Sequence, residues 1–434
     1  MVKIYVETTG CAINNYYTEV LKGLLETNGH ELVDNIDDAD LIVLNACAIK
    51  KPTEDKMIAR ARKLDKLSKI LIVSGCLAEV SPERISKAVP KASIISIHHM
   101  LEIPNLIEDI VAGKRIIKVG PEDSIEDILL KPRRLENKYI AVVPIAKGCL
   151  GACSYCIDKR IWGALKSYPK EKILAEIKRL IKKGVKEIRL SAQDTGPYGW
   201  DLGYNLADLL EEISQIPGDF MIRIGMASPD TLIKVIDDVI EVVKQDQRFY
   251  RYFHIPVQSG SNRILRLMGR RYNVEEFEDL VRIIRRKLDE DVTIATDIIS
   301  GFPTEEEEDH IATVELLERI KPDIVNLSRY GDRPGVPASK IYPKVHSGIA
   351  KRRTRELSEV IRHISFEKNL KYKGKELEAL LLEFKKGGIL GRTRNYRIVA
   401  IPPNEKISLG LWARIYIEDI TWKTLYGRFI TYTN

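Results

Sequence analysis

The sequence has 434 residues, of which 44% are hydrophobic and 30% charged, and its formal net charge is +7. This length allows two or three domains with separate cores, and this balance is typical of a globular protein rather than a disordered or fibrous one. The longest apolar runs have the length of a strand, so no bilayer-spanning helix is predicted.

Six cysteines in a chain of this size do not predict a disulfide framework. We therefore expect free thiols and a reducing compartment, for which the cytoplasm is the predicted location. Residues 1–5 read directly as the start of a strand, so no secretory signal is predicted either.

Residues 1–120 alternate between strand and helix patterns. Three apolar runs, at 2–6, 41–44 and 70–73, are each followed by a polar turn and a cysteine, namely Cys11, Cys47 and Cys76. Strand–loop–helix repeats build a parallel sheet, and ligands gather beyond the carboxyl ends of its strands. We expect these three thiols to converge there, although each of them taken singly reads as an ordinary buried cysteine.

Residues 121–138 are charged, contain Pro121 and Pro132, and are interpreted as a linker. Strand and helix patterns then alternate again from 139 to about 330. The six strand candidates are 139–146, 187–191, 220–226, 251–257, 291–299 and 323–330. Six such units without a glycine-rich dinucleotide fingerprint predict a partial (β/α)6 barrel, whose active residues lie at the carboxyl ends of the strands.

A cysteine loop follows the first of these strands, with Cys149, Cys153 and Cys156 at spacings of four and three. Gly148 and Gly151 allow the loop to curl, so that three sulfurs can face one point. Thiolates suit zinc or iron–sulfur clusters, but structural zinc takes four protein ligands and no fourth Cys or nearby His is present. Three buried structural cysteines are the alternative interpretation.

This loop resembles the cluster loop of the radical S-adenosylmethionine (SAM) superfamily. The resemblance implies a [4Fe–4S] cluster on Cys149, Cys153 and Cys156, with SAM on the open iron. Together with the three-cysteine N-terminal region, the chain resembles the methylthiotransferases, which implies a second [4Fe–4S] cluster on Cys11, Cys47 and Cys76 that presents the inserted sulfur. The stretch 45–54 (NACAIKKPTE) resembles the archaeal and eukaryotic branch.

The other strand ends also resemble methylthiotransferase motifs. On that pattern the SAM and substrate pocket is lined by Gln193, Asp194, Arg223, Gln258 and Asp297. Tyr155 matches an aromatic position that shields the cluster near the adenine of SAM. A structural hydrogen bond at a strand end, or simple packing for Tyr155, remains the alternative for each.

Residues 367–434 resemble the TRAM domain, a small antiparallel RNA-binding β-barrel. Short alternating runs predict strands there. Residues 368–434 contain thirteen Lys and Arg against six Asp and Glu, so the whole net charge lies in this segment. Such asymmetry favours a nucleic-acid partner. The residues predicted to bind RNA are Lys385, Lys386, Arg392, Arg394, Tyr396 and Arg397. A second basic segment, 351–373, is interpreted as a solvated helix that could also lie along a phosphate backbone.

The resemblance thus divides the chain into an N-terminal domain (1–120), the linker, a radical SAM domain (139–366) and a TRAM domain (367–434). It implies methylthiolation of C2 of N6-threonylcarbamoyladenosine next to the tRNA anticodon, with tRNA, an electron donor and a sulfur donor as partners. That C2–H bond is not acidic, so a side-chain base could not remove its proton and a radical is needed. N6-isopentenyladenosine or a ribosomal-protein aspartate as substrate, and a non-enzymatic RNA-binding protein with structural metal, are the alternatives.

Overall fold

The structure is a computed structural model that describes residues 1–120, 128–289, 291–385, 387–403 and 407–433. Two predicted features lie outside these ranges: Lys386, and the first part of the linker with Pro121. No helix within the described ranges combines the length and apolar character that crossing a bilayer requires.

The N-terminal domain is one parallel sheet of six strands with helices on both faces. Its strands, in the order β2-β1-β3-β4-β5-β6, are β1 (Lys3–Thr9), β2 (Glu31–Leu32), β3 (Leu41–Ala46), β4 (Ile70–Gly75), β5 (Ser93–Ser96) and β6 (Ile117–Lys118). The helices are α1 (Ala12–Thr27), α2 (Lys51–Asp65), α3 (Cys76–Val80), α4 (Pro82–Ala88) and α5 (Ile103–Val111). Every residue of β3 is buried, as expected for a central parallel strand covered on both faces.

The central domain is an open barrel of six parallel strands in two three-stranded sheets. The sheets are formed by β7 (Ile140–Pro144), β10 (Glu187–Ser191) and β11 (Met221–Arg223), and by β12 (Tyr252–His254), β13 (Thr293–Ser300) and β14 (Ile324–Arg329). Isolated bridges, such as Met226 with His254, join β11 to β12. Within the described residues nothing pairs β7 with β14, which leaves the barrel open there. The predicted partial (β/α)6 barrel is confirmed.

Short strands β8 (Ala146–Lys147) and β9 (Lys166–Ser167) flank the cysteine loop. The barrel helices are α6 (Asp158–Trp162), α7 (Lys170–Lys182), α8 (Leu206–Ser214), α9 (Pro229–Leu232), α10 (Ile236–Gln245), α11 (Asn262–Leu267), α12 (Val274–Leu288), α13 (Glu307–Ile320) and α14 (Ser347–Leu370). The two ends of helix α12 illustrate how capping and charged residues define where a helix begins and ends. Asn273 caps its first turn while Glu276 reaches back to the Asn273 backbone, and Arg285, Arg286 and Lys287 occupy its last turn.

The C-terminal domain is a closed barrel in the order β15-β16-β17-β19-β18. Its strands are β15 (Glu376–Lys385), β16 (Gly388–Arg392), β17 (Ile398–Ile401), β18 (Trp412–Ile420) and β19 (Leu425–Tyr432). In the sequence, the alternating runs at 377–384, 396–401, 411–417 and 424–430 predict strands, whereas Gly387 and Gly388 read as a loop, so β16 was not predicted. Gly388 is needed there because a Cβ would lie 2.3 Å from the carbonyl oxygen of Ile401 on the neighbouring strand.

The described part of the linker is packed rather than free. Ile128 and Leu129 are buried, and the hydroxyl of Tyr16 on α1 donates to the carbonyl of Ile128 at 2.7 Å. Arg133 is buried between Glu19 of α1 and Glu176 of α7. This segment therefore holds the N-terminal domain against the barrel.

Candidate cofactor and substrate site

The three N-terminal cysteines follow three neighbouring strands, β1, β3 and β4. Thr9 is in register with Ala46, and Asn45 is in register with Ser74, so the cysteines one or two residues further on lie at the same sheet edge. Cys47 and Cys76 are buried and Cys11 is exposed. Burial, followed by the nearby Cys11 and Cys47 thiols and Asp158, raises the pKa of Cys76 well above its ordinary value. The three thiols are thus close enough to influence one another.

The turn before Cys76 is built around Gly75. Its φ of 86° is in the left-handed region, and a Cβ there would lie 2.2 Å from the Oδ1 of Asn45. The Nδ2 of Asn45 in turn donates to the backbone carbonyl of Asn14 at 3.1 Å and to Thr18 Oγ1 at 2.7 Å. These contacts tie the loop that presents Cys76 to helix α1, which Cys11 begins.

The cysteine loop of the barrel curls around Gly151. Its backbone N–H donates to Cys149 Sγ at 3.1 Å. A Cβ at Gly151 would lie 3.2 Å from Cys149 Sγ and 3.7 Å from Cys153 Sγ, so the two sulfurs face the same small space. Gly148, with a φ of 75°, passes so close to the carbonyl of Ala164 that any side chain would clash. Both glycines therefore play the structural role that the sequence predicted.

Two cationic side chains donate hydrogen bonds to this loop. The Nη1 of Arg270 donates to Cys153 Sγ at 3.0 Å, and Lys159 Nζ donates to the carbonyl of Cys149. A guanidinium at this distance places a positive charge beside the loop, and metal-binding thiolates carry negative charge. The sequence analysis missed Arg270, because no local pattern relates it to a cysteine 117 residues away.

Asp158 lies close to both groups of cysteines. It is two residues after Cys156, whose Sγ is 3.9 Å from its Oδ2, and its charge also raises the pKa of Cys11, Cys47 and Cys76. Burial raises the pKa of Asp158 itself to about 6. Asp158 is therefore close to thiols of both sets.

A cavity of about 930 Å³ opens beside the cysteine loop, between the barrel mouth and the N-terminal domain. Among its lining residues are Cys149, Cys153, Cys156, Tyr155, Gln193, Asp194, Gln258 and Asp297, all of which were predicted site residues. The N-terminal domain contributes the segment 49–52, directly after Cys47. Cys11, Cys47 and Cys76 do not line the cavity themselves; Asp158 does.

Several cavity residues were not predicted from the sequence. They are Lys50, Asp158, Arg270, Arg271, Asn326, Arg329, Tyr330 and Arg333. Lys50 stands in the motif that suggested the archaeal branch, and Tyr330 follows the last barrel strand, so strand ends and motif neighbours could have indicated both. The remaining side chains are brought in by tertiary contacts.

Asp194 and Gln193 follow the second barrel strand and differ in the hydrogen bonds that their side chains form. Asp194 Oδ1 accepts from the backbone N–H groups of Gly196 at 3.1 Å and Ser228 at 3.0 Å, and Thr231 Oγ1 also donates to Asp194. Burial nonetheless raises its pKa. The Oε1 of Gln193 is buried and has no hydrogen-bond partner among the described residues. Asp194 thus organises the turn, while Gln193 offers an unused acceptor at the cavity.

Asp297 and Gln258 form the opposite wall. Asp297 accepts from His254 Nε2 at 3.0 Å and from Asn326 Nδ2 at 2.8 Å. Burial alone would raise the pKa of Asp297, but these partners outweigh it and the pKa is lowered. Gln258 has a φ of 74°, a conformation that costs a non-glycine residue energy and is concentrated at functional sites.

Tyr155 is half-buried and packs against a small apolar cluster beside the cysteine loop. Its ring packs edge-on against Phe302, with the ring centroids 6.4 Å apart. Burial raises the pKa of its hydroxyl well above the ordinary value, so the side chain is neutral at the cavity wall.

Arg223 does not line the cavity, contrary to the prediction. Its guanidinium carbon lies 5.0 Å from the ring centroid of Tyr252 and 5.7 Å from that of Tyr396. Tyr396 comes from the C-terminal domain, which docks on the end of the barrel away from the cysteine loop. Arg223 therefore contacts the interface with the C-terminal domain instead of the cavity.

The residues predicted to bind RNA separate into buried and exposed groups. Tyr396 packs against Tyr250 and Tyr252 at 4.8 Å between ring centroids, and Arg397 is buried in an ion pair with Asp323 of the barrel. Both residues serve the contact between domains, and neither presents a free surface to RNA. The reason is the turn before β17, in which Tyr396 has a φ of 64° and the chain bends toward the barrel.

The other predicted RNA-binding residues are placed differently. Arg392 packs over the Tyr396 ring at 5.5 Å, next to the same interface. Lys385 is exposed and lies 3.3 Å from Glu383, and Arg394 is exposed and covers Trp412 at 4.4 Å.

Three known sequence families match parts of the chain. The Radical SAM superfamily matches residues 143–317 and the TRAM domain matches residues 370–430. Residues 3–96 match the family described as Uncharacterized protein family UPF0004. The matched segments fall in the barrel, the C-terminal β-barrel and the N-terminal sheet, respectively.

Relatives cover almost the whole chain. A Pyrococcus horikoshii protein, named Probable threonylcarbamoyladenosine tRNA methylthiotransferase, is 42% identical over 99% of this chain and 100% of its own length. A Dictyoglomus thermophilum protein, named tRNA-2-methylthio-N(6)-dimethylallyladenosine synthase, is 35% identical with 99% of each chain covered. The human Threonylcarbamoyladenosine tRNA methylthiotransferase is 34% identical over 84% of this chain and 63% of its own.

Among solved structures, the radical SAM methyltransferase TsrM from Kitasatospora setae, solved with cobalamin and a [4Fe–4S] cluster, has a TM-score of 0.58. It covers 78% of this chain and 77% of its own at 13% identity, a likeness that shows the fold alone.

The three-cysteine loop at the mouth of a partial barrel, with a TRAM domain behind it, defines a radical SAM protein. More particularly, the chain belongs to the threonylcarbamoyladenosine tRNA methylthiotransferase family, to which it is related over nearly its full length. The resemblance inferred from the sequence is thereby confirmed.

Proposed function

We propose that this protein transfers a methylthio group to C2 of N6-threonylcarbamoyladenosine next to the tRNA anticodon, using SAM and two [4Fe–4S] clusters. The observation that carries the proposal is the arrangement of six free thiols in two sets of three, with Asp158 close to both sets and the barrel set lining one large cavity. The family relatives supply the substrate part of the proposal.

The donor set fits the two clusters. Three thiolates hold a [4Fe–4S] cube with one iron left for another ligand, and closed zinc sites need a fourth protein donor. Cys149, Cys153 and Cys156 would hold the cluster that binds SAM, and Cys11, Cys47 and Cys76 would hold the cluster that presents sulfur. The empty space around Gly151, onto which two sulfurs face, supports the first assignment.

Side chains around the cysteine loop would bind, orient and shield the cofactors and the substrate. Arg270 donates to Cys153 and orients it, and Tyr155 with Phe302 forms an apolar wall at the loop. Gln193 keeps an unpaired acceptor, and Asp297 is held ionised and oriented by His254 and Asn326. When bound, SAM and its cluster supply the carbon radical that removes the C2 hydrogen atom, a step that no side-chain base could perform.

The size and charge of the cavity suit a nucleoside carrying a polar substituent. At about 930 Å³ it lies at the upper end of ordinary ligand pockets. Lys50, Lys51, Arg271 and Arg329 line its outer part, where a nucleotide's phosphates and the carboxylate of a threonylcarbamoyl group need cations. An anticodon-loop base can unstack cheaply to enter it.

The proposal is tested by anaerobic reconstitution of the full chain, followed by reaction with SAM, a reductant and a stem-loop RNA that carries N6-threonylcarbamoyladenosine. Nucleoside mass spectrometry should detect the 2-methylthio product, and Cys11→Ala and Cys149→Ala should each abolish it. Absence of product with a fully loaded wild-type protein would refute the proposal.

A second substrate is supported by the Dictyoglomus thermophilum relative, whose name refers to N6-dimethylallyladenosine. The same assay with an RNA carrying that nucleoside separates the two. A preference for the dimethylallyl RNA would replace the threonylcarbamoyl substrate while leaving the reaction class unchanged.

A further inference from the structure

A second, smaller cavity of about 390 Å³ lies on the outside of the barrel along α14. Three of its lining residues, Lys351, Arg355 and Arg362, lie on one face of α14, and Arg329 at the end of β14 lies opposite. All four are exposed, and Glu359 is the single acidic residue among the lining residues that the structure describes. We call this cavity the α14 groove.

The cations of the α14 groove differ from the other cations of the same helix. Arg352 pairs with Glu307 and Glu356, and Arg353 is buried against Glu305 and Glu307. By contrast, Lys351, Arg355 and Arg329 form no ion pair with any acidic residue in the described part of the chain. Helix α14 therefore pairs Arg352 and Arg353 with acidic residues, whereas Lys351 and Arg355 in the groove remain without such a pair among the described residues.

At one end, the α14 groove joins the cavity of the cysteine loop. Arg329 lines both. Next to it, Lys50 of the N-terminal domain donates to Ser328 Oγ at 2.6 Å, so a further cation stands at the junction. A molecule lying in the groove would thus lead directly into the cavity that holds the predicted site residues.

At the other end, the α14 groove reaches the C-terminal barrel. The guanidinium carbon of Arg362 lies 5.8 Å from the ring centroid of Trp422, in the turn between β18 and β19, and Lys423 lies 4.2 Å from the same ring. An aromatic ring flanked by two cations offers both a stacking surface and phosphate contacts. The cationic surface therefore continues onto the TRAM domain at the turn between β18 and β19.

We propose that the α14 groove binds the phosphate backbone of the substrate RNA's stem while the loop base occupies the cavity of the cysteine loop. This inference rests on the proposed function, because it names the surface that holds the same RNA. From Lys351 to Arg362 the helix rises about 16 Å. That length is enough for the helix to contact several successive phosphates of one strand of an RNA stem.

The test measures RNA affinity of the full chain by fluorescence anisotropy across a range of salt concentrations, using a labelled anticodon stem-loop. The variant is Lys351→Ala/Arg355→Ala/Arg362→Ala. The matched control is Arg62→Ala/Lys63→Ala/Lys66→Ala, which removes the same charge from exposed cations at the far end of α2. Unchanged melting temperatures would show that both variants fold.

The groove variant should weaken binding roughly tenfold at low salt and reduce the slope of log Kd against log salt by about two to three. The control should match the wild type. Ethylation of single stem phosphates should interfere with binding by the wild type and lose that effect in the groove variant. Equal affinity and slope for the groove variant and the control would overturn the proposal.

Wild-type turnover separates this inference from the proposed function. If the wild type modifies the RNA and the groove variant binds it normally, the groove assignment is wrong and the function stands. If the groove variant loses binding while the loaded wild type modifies no adenosine, the surface stands and the proposed reaction is wrong. If the loaded wild type binds no stem-loop RNA, both proposals are wrong.

Discussion

Arg333 and Glu54 form a buried ion pair between the barrel and the N-terminal domain, although they are 279 residues apart in the chain. Glu54 also accepts from Ser81 Oγ at 2.8 Å and from Arg84, and Arg333 donates to the carbonyl of Ala48, next to Cys47. The pair therefore fixes the loop of Cys47 against the domain that carries the other three cysteines.

Breaking this pair should destabilise the protein. Glu54→Gln leaves Arg333 buried and without a charged partner, which typically costs about 3–5 kcal/mol. Asp55→Asn is the matched control, because it changes the next residue, whose pairs with Lys51 and Arg84 are exposed and worth at most about 1 kcal/mol. Urea unfolding of the metal-free chain gives both values, and equal losses would contradict the assigned role.

The lowered pKa of Glu54 predicts that the free energy of unfolding depends on pH. Burial alone would raise the pKa of Glu54, but the hydrogen bonds from Arg333, Ser81 and Arg84 outweigh it and the pKa is lowered. Its contribution is therefore fully present above the unfolded pKa of about 4.3, and it is lost as the pH falls through the lower folded value. The free energy of unfolding should fall less steeply below about pH 4.3 in Glu54→Gln than in the wild type. Identical slopes would show that Glu54 is not the responsible group.

Each set of three cysteines should bind half of the iron in the reconstituted protein. After anaerobic reconstitution we expect about eight irons in the wild type and about four in either Cys11→Ala or Cys149→Ala, since each cube holds four. Ser154→Ala, in the same loop but hydrogen-bonded to Leu267, serves as the control and should keep about eight. A single zinc in the wild type, or full iron in either cysteine variant, would contradict the assignment.

Adding a single methyl group at Gly151 should impair binding of the cluster. In Gly151→Ala the new Cβ lies 3.2 Å from Cys149 Sγ and 3.7 Å from Cys153 Sγ, in the space onto which the sulfurs face. We expect slower reconstitution and earlier loss of the cluster absorbance on exposure to a chelator. Gly348→Ala, whose Cβ would lie equally close to His346 but far from the cysteines, should behave as the wild type.

Tyr396 should matter for stability rather than for stacking on RNA. Its ring packs against Tyr250 and Tyr252, so Tyr396→Ala removes a large aromatic contact between domains, which we expect to cost about 3 kcal/mol. Tyr396→Phe keeps the ring, and the hydroxyl contact to Glu187 that it removes is long at 3.4 Å, so its effect should be small. Thermal unfolding measures both. A loss of RNA affinity in Tyr396→Phe without loss of stability would restore the original RNA-binding prediction.

The sequence by itself determined the architecture and the positions of the six cysteines that we propose as metal ligands. Strand periodicity set the six barrel strands and placed Cys11, Cys47 and Cys76 each after a strand of a parallel sheet, so their meeting at one edge followed from topology. The loop from Cys149 to Cys156 was readable for the same reason: ligand spacing and glycine positions act over a few residues.

Tertiary structure alone decided which charged and aromatic side chains are free. Arg223 and Arg397 read as exposed functional cations, yet one lies beneath the cavity and the other is buried against Asp323. Conversely, Lys351 and Arg355 read as an ordinary solvated helix face, and became distinctive only because Arg352 and Arg353 on the same helix are paired with acids. Burial and pairing depend on contacts between residues distant in the chain, and no local pattern in the sequence encodes them.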